Sequence, residues 1–130
     1  MTTDLWMLVW TAVLALLMPT TYLIGRVQAP GGNRWAFGNR DTSLAVPAWT
    51  GRAVRAHANL VENIGPFIIL VLVAHVSGRA NATTALGATI FFWGRVVYAA
   101  VYIAGIIYLR TLVWFAAAFG ELLILLQLFR

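Results

Sequence analysis

Residues 5–25 read LWMLVWTAVLALLMPTTYLIG, and this stretch contains no charged side chain. At about 1.5 Å per residue, a helix of this length exceeds the roughly 30 Å hydrocarbon core of a bilayer. The only charge before it is Asp4, and no basic residue precedes it, which is unlike a cleavable signal peptide. The stretch therefore predicts a first membrane-spanning helix.

The composition of the whole chain fits a membrane protein. Of the 130 residues, 62% are hydrophobic and 10% are charged, whereas soluble domains carry about 25% charged residues. The absence of cysteine excludes thiolate metal centres, disulfide-stapled modules and cysteine nucleophiles. The net charge of +5 comes from arginines that mostly flank apolar runs, a pattern typical of contact with lipid head groups and not of nucleic-acid binding.

Three further helices follow from the distribution of polar and turn-forming residues. A loop is predicted over residues 26–46, where Pro-Gly-Gly-Asn at 30–33 is a strong turn signal. Helices are predicted over 47–77, 81–104 and 111–129, with Pro47 in the first turn of the second helix and glycines 78 and 105 at helix ends. The predicted fold is a single all-α membrane domain, a four-helix antiparallel bundle spanning residues 1–130.

The arginines also predict an orientation, because four spans put both termini on one side. Two arginines, at 79 and 130, lie on the terminal side, and six, at 26, 34, 40, 52, 55 and 110, lie on the other. The positive-inside rule then predicts that the loop is cytoplasmic. Arginine without lysine, amid abundant alanine and glycine, indicates a bacterium, so we expect an inner-membrane protein with periplasmic termini.

Polar residues follow one face of the second predicted helix and one face of the third. Their spacings of three and four residues place them in stripes, which comprise Arg52, Arg55, Asn59 and Glu62 on the second helix and Arg95, Tyr98 and Tyr102 on the third. Glu62 and Arg95 are each fifteen residues from the turn that joins the helices, or about 22 Å at 1.5 Å per residue. The same counting pairs Asn59 with Tyr98, and Arg55 with Tyr102.

The stacked polar groups predict a polar pocket that opens toward the loop side, with Arg110 at its top. A charge in hydrocarbon costs at least about 2.5 kcal/mol, so we expect Glu62 and Arg95 to face each other or a wet interior, within one subunit or across two. A structural ion pair is the alternative for these two residues. Asn59 could equally form a hydrogen bond between helices, and the tyrosines could be interfacial aromatics.

The remaining ionisable residues lie away from these two polar stripes. Glu121 is near the other end of its helix and is interpreted as a structural or subunit-contact residue. His57 borders the head groups and His75 lies near the opposite end, so a metal site has little support.

The polar stripes resemble a known family. Residues 55–63, RAHANLVEN, followed by Pro66 and Phe67, are similar to the second-helix signature of the membrane-associated proteins in eicosanoid and glutathione metabolism (MAPEG). Residues 94–98, GRVVY, then Tyr102 and residues 110–111, are similar to its third-helix and turn pattern.

The resemblance implies a homotrimer that binds glutathione between subunits near the cytoplasmic side. In this family, positions matching Asn59 and Glu62 hold the peptide backbone of glutathione. Positions matching Arg95, Tyr98, Tyr102 and Arg110 contact the peptide or its thiol, with Arg110 and Thr111 nearest the sulfur. The family's enzymes usually carry a basic residue where Ala58 stands, and Arg55 could substitute for it.

These residues predict a glutathione-dependent transferase or peroxidase acting on lipophilic electrophiles from the bilayer. Arg110, Thr111 and Tyr102 would be catalytic, and Arg55, Asn59, Glu62, Arg95, Tyr98 and Tyr102 would bind glutathione, with no metal. One alternative is a non-catalytic lipid-binding or scaffold member of the family, which Ala58 favours. Another is a small multidrug exporter, although a site lined with arginines would repel a cationic substrate.

Overall fold

The computed structural model describes all residues from 1 to 130 and contains only α-helices. The helices are α1 (Thr3–Val27), α2 (Gly32–Phe37), α3 (Ala48–Val76), α4 (Ala82–Ala104) and α5 (Ile107–Leu128). All except α2 are long and apolar enough to cross a membrane. The predicted all-α fold with four membrane-spanning helices is therefore confirmed.

Two features differ from the sequence prediction. The short helix α2 lies inside the segment that was predicted to be a loop. In addition, α5 begins at Ile107 and not at Thr111. The reason is the tight end of α4, where Gly105 has φ of 85° and the amide of Ile106 donates to the carbonyl of Val101. The chain reverses within two residues, so α5 starts before the first polar side chain and Arg110 falls in its first turns.

Glycines bring α4 and α5 into close contact. A Cβ added to Gly87 would lie 2.5 Å from the carbonyl oxygen of Gly120, and one added to Gly94 would lie 3.0 Å from the Cβ of Ala117. Close approach through small residues is how helices associate in lipid, where the hydrophobic effect does not drive them together. The backbone of α5 is thereby fixed against α4, which carries most of the predicted site.

The core lies between α3, α4 and α5. The rings of Phe67 and Phe91 stack at 4.0 Å between centroids, and both residues are buried. Residues from all three helices surround them, including Val71, Ala88, Ala117 and Ile124.

A polar cluster ties α1 to α3 and α4 on the terminal side. Asp4 is 2% exposed, and its Oδ1 lies 3.0 Å from Nε2 of His75. The hydroxyl of Thr84 donates to its other oxygen at 3.1 Å. Thr84 also belongs to the capping box that begins α4 with Asn81. These polar contacts join α1 to α3 and α4 at this end of the bundle.

Candidate functional site

Arg95 is the centre of the polar network on the loop side of the core. It is 2% exposed, because α4 packs against both α3 and α5 at this level. Its Nη2 donates to Oδ1 of Asn59 at 2.7 Å, which joins α4 to α3. A guanidinium is stabilised in such a place only when acceptors or aromatic rings replace water.

Aromatic rings continue the network toward the loop side. The guanidinium carbon of Arg95 lies 4.7 Å from the ring centre of Tyr98, and the rings of Tyr98 and Tyr102 meet edge to face at 5.5 Å. The guanidinium carbon of Arg110, on α5, lies 4.6 Å from the ring centre of Tyr102. Five predicted site residues therefore form one continuous line, which we call the polar line: Asn59, Arg95, Tyr98, Tyr102 and Arg110.

The polar line presents hydrogen-bond donors without partners. Nε of Arg95 is buried and unpaired. The only tyrosine hydroxyl with a hydrogen-bond partner is that of Tyr22, which contacts His57, so the hydroxyls of Tyr98 and Tyr102 make none. Arg110 has no carboxylate partner either, since the single ion pair of the chain is that of Asp4 and His75. These donors are suited to a ligand with negative charge.

Glu62 does not pair with Arg95 inside the chain. Its side chain is exposed on the outer face of α3, and it takes part in no ion pair. The expectation that the two residues face each other within one subunit is therefore wrong. Asn59, one turn earlier on α3, is the side chain that reaches Nη2 of Arg95, whereas Glu62 is exposed.

Two other predicted residues lie apart from the polar line. Arg55 folds back along α3 toward Gly51 and lines a cavity of about 260 Å³ with Arg26 and Trp35, between α1 and the first turns of α3. It does not contact Tyr102, although level counting had paired them. Thr111 is exposed and forms no hydrogen bond with the polar line.

The predicted pocket is absent from the single chain. Its three cavities lie in the segment joining α1 to α3, between α1 and α3, and beside Asp4. None is lined by a residue of the polar line. Tyr98 and Tyr102 pack onto the arginines and fill the space that counting had assigned to a pocket. The line instead runs from the buried Arg95 and Tyr98 to the partly exposed Tyr102 and Arg110.

Two further residues lie near the site: Arg52, which belongs to the predicted stripe but had no binding or catalytic role assigned, and Glu121, which was predicted to lie away from the stripes. Arg52 donates from Nε to the carbonyl of Ile103 at 2.8 Å, which stabilises the negative end of α4 beside the polar line. Glu121 has a buried oxygen without a hydrogen-bond partner, and its carboxylate lies near the guanidinium of Arg95 without forming an ion pair.

The arrangement combines positive charge, free phenols and an exposed carboxylate in an apolar bundle. Such a set can hold a zwitterionic ligand, with its anionic groups toward the arginines and its ammonium group toward Glu62. Guanidinium groups that are already placed can also stabilise a negative charge without reorganisation.

Comparison with known proteins identifies the family of the chain. A sequence model of the MAPEG family matches residues 5–130. No curated protein matches the chain significantly. Because the family match covers all four membrane-spanning helices and the whole polar line, the chain belongs to the MAPEG family.

Proposed function

We propose that the protein is a glutathione-dependent transferase or peroxidase that acts on lipophilic electrophiles. Membership of the MAPEG family supports a membrane protein of glutathione-related chemistry. The observation that carries the proposal is the polar line, in which two arginines and two tyrosines form a continuous cationic and phenolic network joined to Asn59.

The chemistry requires a thiolate. A thiol with a pKa near 8.5 is only a few per cent ionised at neutral pH, so an enzyme must stabilise the anion. Arg110 supplies a positive charge at the end of the polar line, and the hydroxyl of Tyr102 beside it can donate to the sulfur. The thiolate then attacks an electrophilic carbon or a peroxide oxygen, and the leaving group departs with the bonding electrons.

We propose that a second copy of the chain completes the site, within a homotrimer. Glu62 and Arg55 are exposed on a helix that crosses the membrane, and a charge facing lipid costs at least about 2.5 kcal/mol. A neighbouring subunit would cover this face and bring Glu62 to the ammonium group of glutathione. In this arrangement Arg55 and Thr111 would reach the ligand from the rim.

We also propose on which side of the membrane the site lies. The polar line leads toward the loop side, which carries six of the nine arginines. By the positive-inside rule we assign this side to the cytoplasm and the termini to the periplasm of a bacterial inner membrane. Glutathione is then drawn from the cytoplasm, and the lipophilic substrate reaches the sulfur from the bilayer.

Thiol conjugation to a generic electrophile tests this proposal. Arg110→Ala should lower kcat by about a hundredfold, the scale of losing one preorganised charge at a developing anion. Arg110→Lys should restore part of the rate, and Arg79→Ala, on the terminal side, should leave it unchanged. Equal rates for Arg110→Ala and the unmodified protein would remove the assigned role.

A scaffold role is the second candidate, and Ala58 favours it. Ala58 is exposed beside Asn59, so this face of α3 lacks one cation that could bind a carboxylate of glutathione. Such a charge-assisted contact is worth about 1.5 to 3 kcal/mol. Calorimetric titration with glutathione distinguishes the two roles. A scaffold would show no heat of binding at millimolar glutathione, whereas an enzyme would show binding. In that case Ala58→Arg would tighten the binding.

A further inference from the structure

The segment between α1 and α3 forms an open polar cavity that the proposed reaction does not use. Its volume is about 540 Å³, and eight of its ten lining residues are not hydrophobic. Those with side-chain donors include Arg34, Asn39, Arg40, Thr42 and Ser43. Guanidinium, amide and hydroxyl groups together are the donors that bind phosphate oxygens in proteins.

The cavity is built around Trp35. Guanidinium carbons of Arg26 and Arg40 lie 5.2 and 5.4 Å from its ring, and its indole N–H donates to the carbonyl of Thr42. Arg40 also donates from Nε and Nη2 to the carbonyl of Ala36, at 3.3 and 3.1 Å. These contacts hold the walls in place, so a ligand would meet a formed site and would not have to order the segment.

Positive charge at the cavity is not neutralised by ion pairs. Arg34 is exposed. The one acidic lining residue, Asp41, forms an ion pair with neither Arg34 nor Arg40, since the single ion pair of the chain is at the opposite end of the bundle. The lining therefore holds two arginines, Arg34 and Arg40, and one carboxylate. The excess favours an anionic ligand.

Phe37 indicates that this ligand belongs to the membrane. Its side chain is 91% exposed at the end of α2, in the segment that joins two membrane-spanning helices and therefore lies at the membrane border. Exposed aromatic rings at such a border insert among acyl chains, while nearby arginines meet head groups. An apolar anchor next to a cationic cavity fits a phospholipid.

We propose that this cavity is a binding site for the head group of an anionic phospholipid, with Arg34 contacting the phosphate and Phe37 contacting the acyl region. Basic pockets beside membrane-spanning helices bind anionic head groups in this way. The site is separate from the polar line, shares no residue with it and does not depend on the proposed reaction.

Native mass spectrometry of the full-length protein in detergent tests the proposal by titration with phosphatidylglycerol or phosphatidylcholine. We expect phosphatidylglycerol to bind about tenfold more tightly, and Arg34→Gln to remove most of this preference, as expected for losing one charge-assisted hydrogen bond. Phe37→Ser should weaken both lipids severalfold, because it removes an apolar contact. Both side chains are exposed, so neither substitution should unfold the protein.

Arg130→Gln is the matched control, since it removes an exposed arginine on the terminal side. Its affinity for phosphatidylglycerol should equal that of the unmodified protein. Equal affinity for the two lipids, or equal losses in Arg34→Gln and Arg130→Gln, would overturn the proposal. Complete displacement of phosphatidylglycerol by millimolar glycerol phosphate would also overturn it, because the ligand would then be a soluble phosphate and not a lipid.

Discussion

Nη2 of Arg95 lies 2.7 Å from Oδ1 of Asn59, and this hydrogen bond joins α4 to α3 beside the core. Asn59→Ala should lower the free energy of unfolding by about 1 to 3 kcal/mol, because it leaves a buried charged donor without an acceptor. Asn63→Ala is the control, since that amide donates only to the carbonyl of Asn59 within the same helix. Unfolding in mixed detergent micelles measures the stability of both variants. Equal losses of stability would contradict a special role for the side chain of Asn59.

Substitution of the two carboxylates within the membrane should change different properties: glutathione binding for Glu62 and stability for Glu121. Glu62 is exposed and unpaired, so Glu62→Gln should weaken glutathione binding about tenfold or more, the scale of one contact to a charged group, while leaving unfolding of the chain unchanged. Glu121 is partly buried, makes no ion pair and has one oxygen without a hydrogen-bond partner, so Glu121→Gln should raise stability by roughly 1 kcal/mol, because it removes the cost of burying an unpaired carboxylate. Calorimetry measures glutathione binding, and unfolding in detergent measures stability. A loss of stability in Glu62→Gln together with a loss of glutathione binding in Glu121→Gln would refute these roles.

Close contact between α4 and α5 predicts a steric effect. Gly87→Ala would place a methyl group 2.5 Å from the carbonyl of Gly120, so the helices must separate, at a cost of about 1 to 3 kcal/mol. Gly65→Ala is the comparison, because a Cβ at Gly65 meets nothing within 4 Å. Alanine there should be neutral or slightly stabilising through helix propensity. A lower midpoint of thermal unfolding for Gly65→Ala than for Gly87→Ala would contradict this close contact between α4 and α5.

The terminal-side cluster predicts a loss of stability when its charge is removed. Asp4→Asn eliminates the ion pair with His75 and weakens the bond from Thr84. We expect about 1 to 3 kcal/mol of destabilisation, since a buried acceptor network is broken. Asp41→Asn, in the exposed segment before α3, should change stability by less than about 0.5 kcal/mol. Similar midpoints for the two variants in detergent unfolding would show that the cluster is not stabilising.

Apolar run lengths predicted the four membrane-spanning helices, because a bilayer imposes a minimum length and excludes charge. Helical spacing also placed Asn59, Arg95, Tyr98 and Tyr102 on facing stripes, and the structure connects them. Spacing did not predict that Arg95 contacts Asn59 rather than Glu62, or that Arg55 folds toward Gly51. Those outcomes depend on side-chain direction and reach, which a count of residues per turn does not contain.

Helix α2 and the start of α5 were missed for a related reason. A segment rich in proline, glycine and asparagine predicts turns, but α2 is held by the packing of Trp35 between two arginines. The start of α5 follows from the tight reversal at Gly105, which fixes the next residues before any polar signal appears.

The account rests on the claim that the polar line binds glutathione and holds its sulfur as an anion. Ultraviolet difference absorbance of the purified protein with glutathione at neutral pH measures the bound thiolate directly. We predict a saturable thiolate signal that Arg110→Ala abolishes and Arg79→Ala preserves. Glutathione that fails to bind at millimolar concentration, or that binds with its thiol protonated in the unmodified protein, would contradict the account.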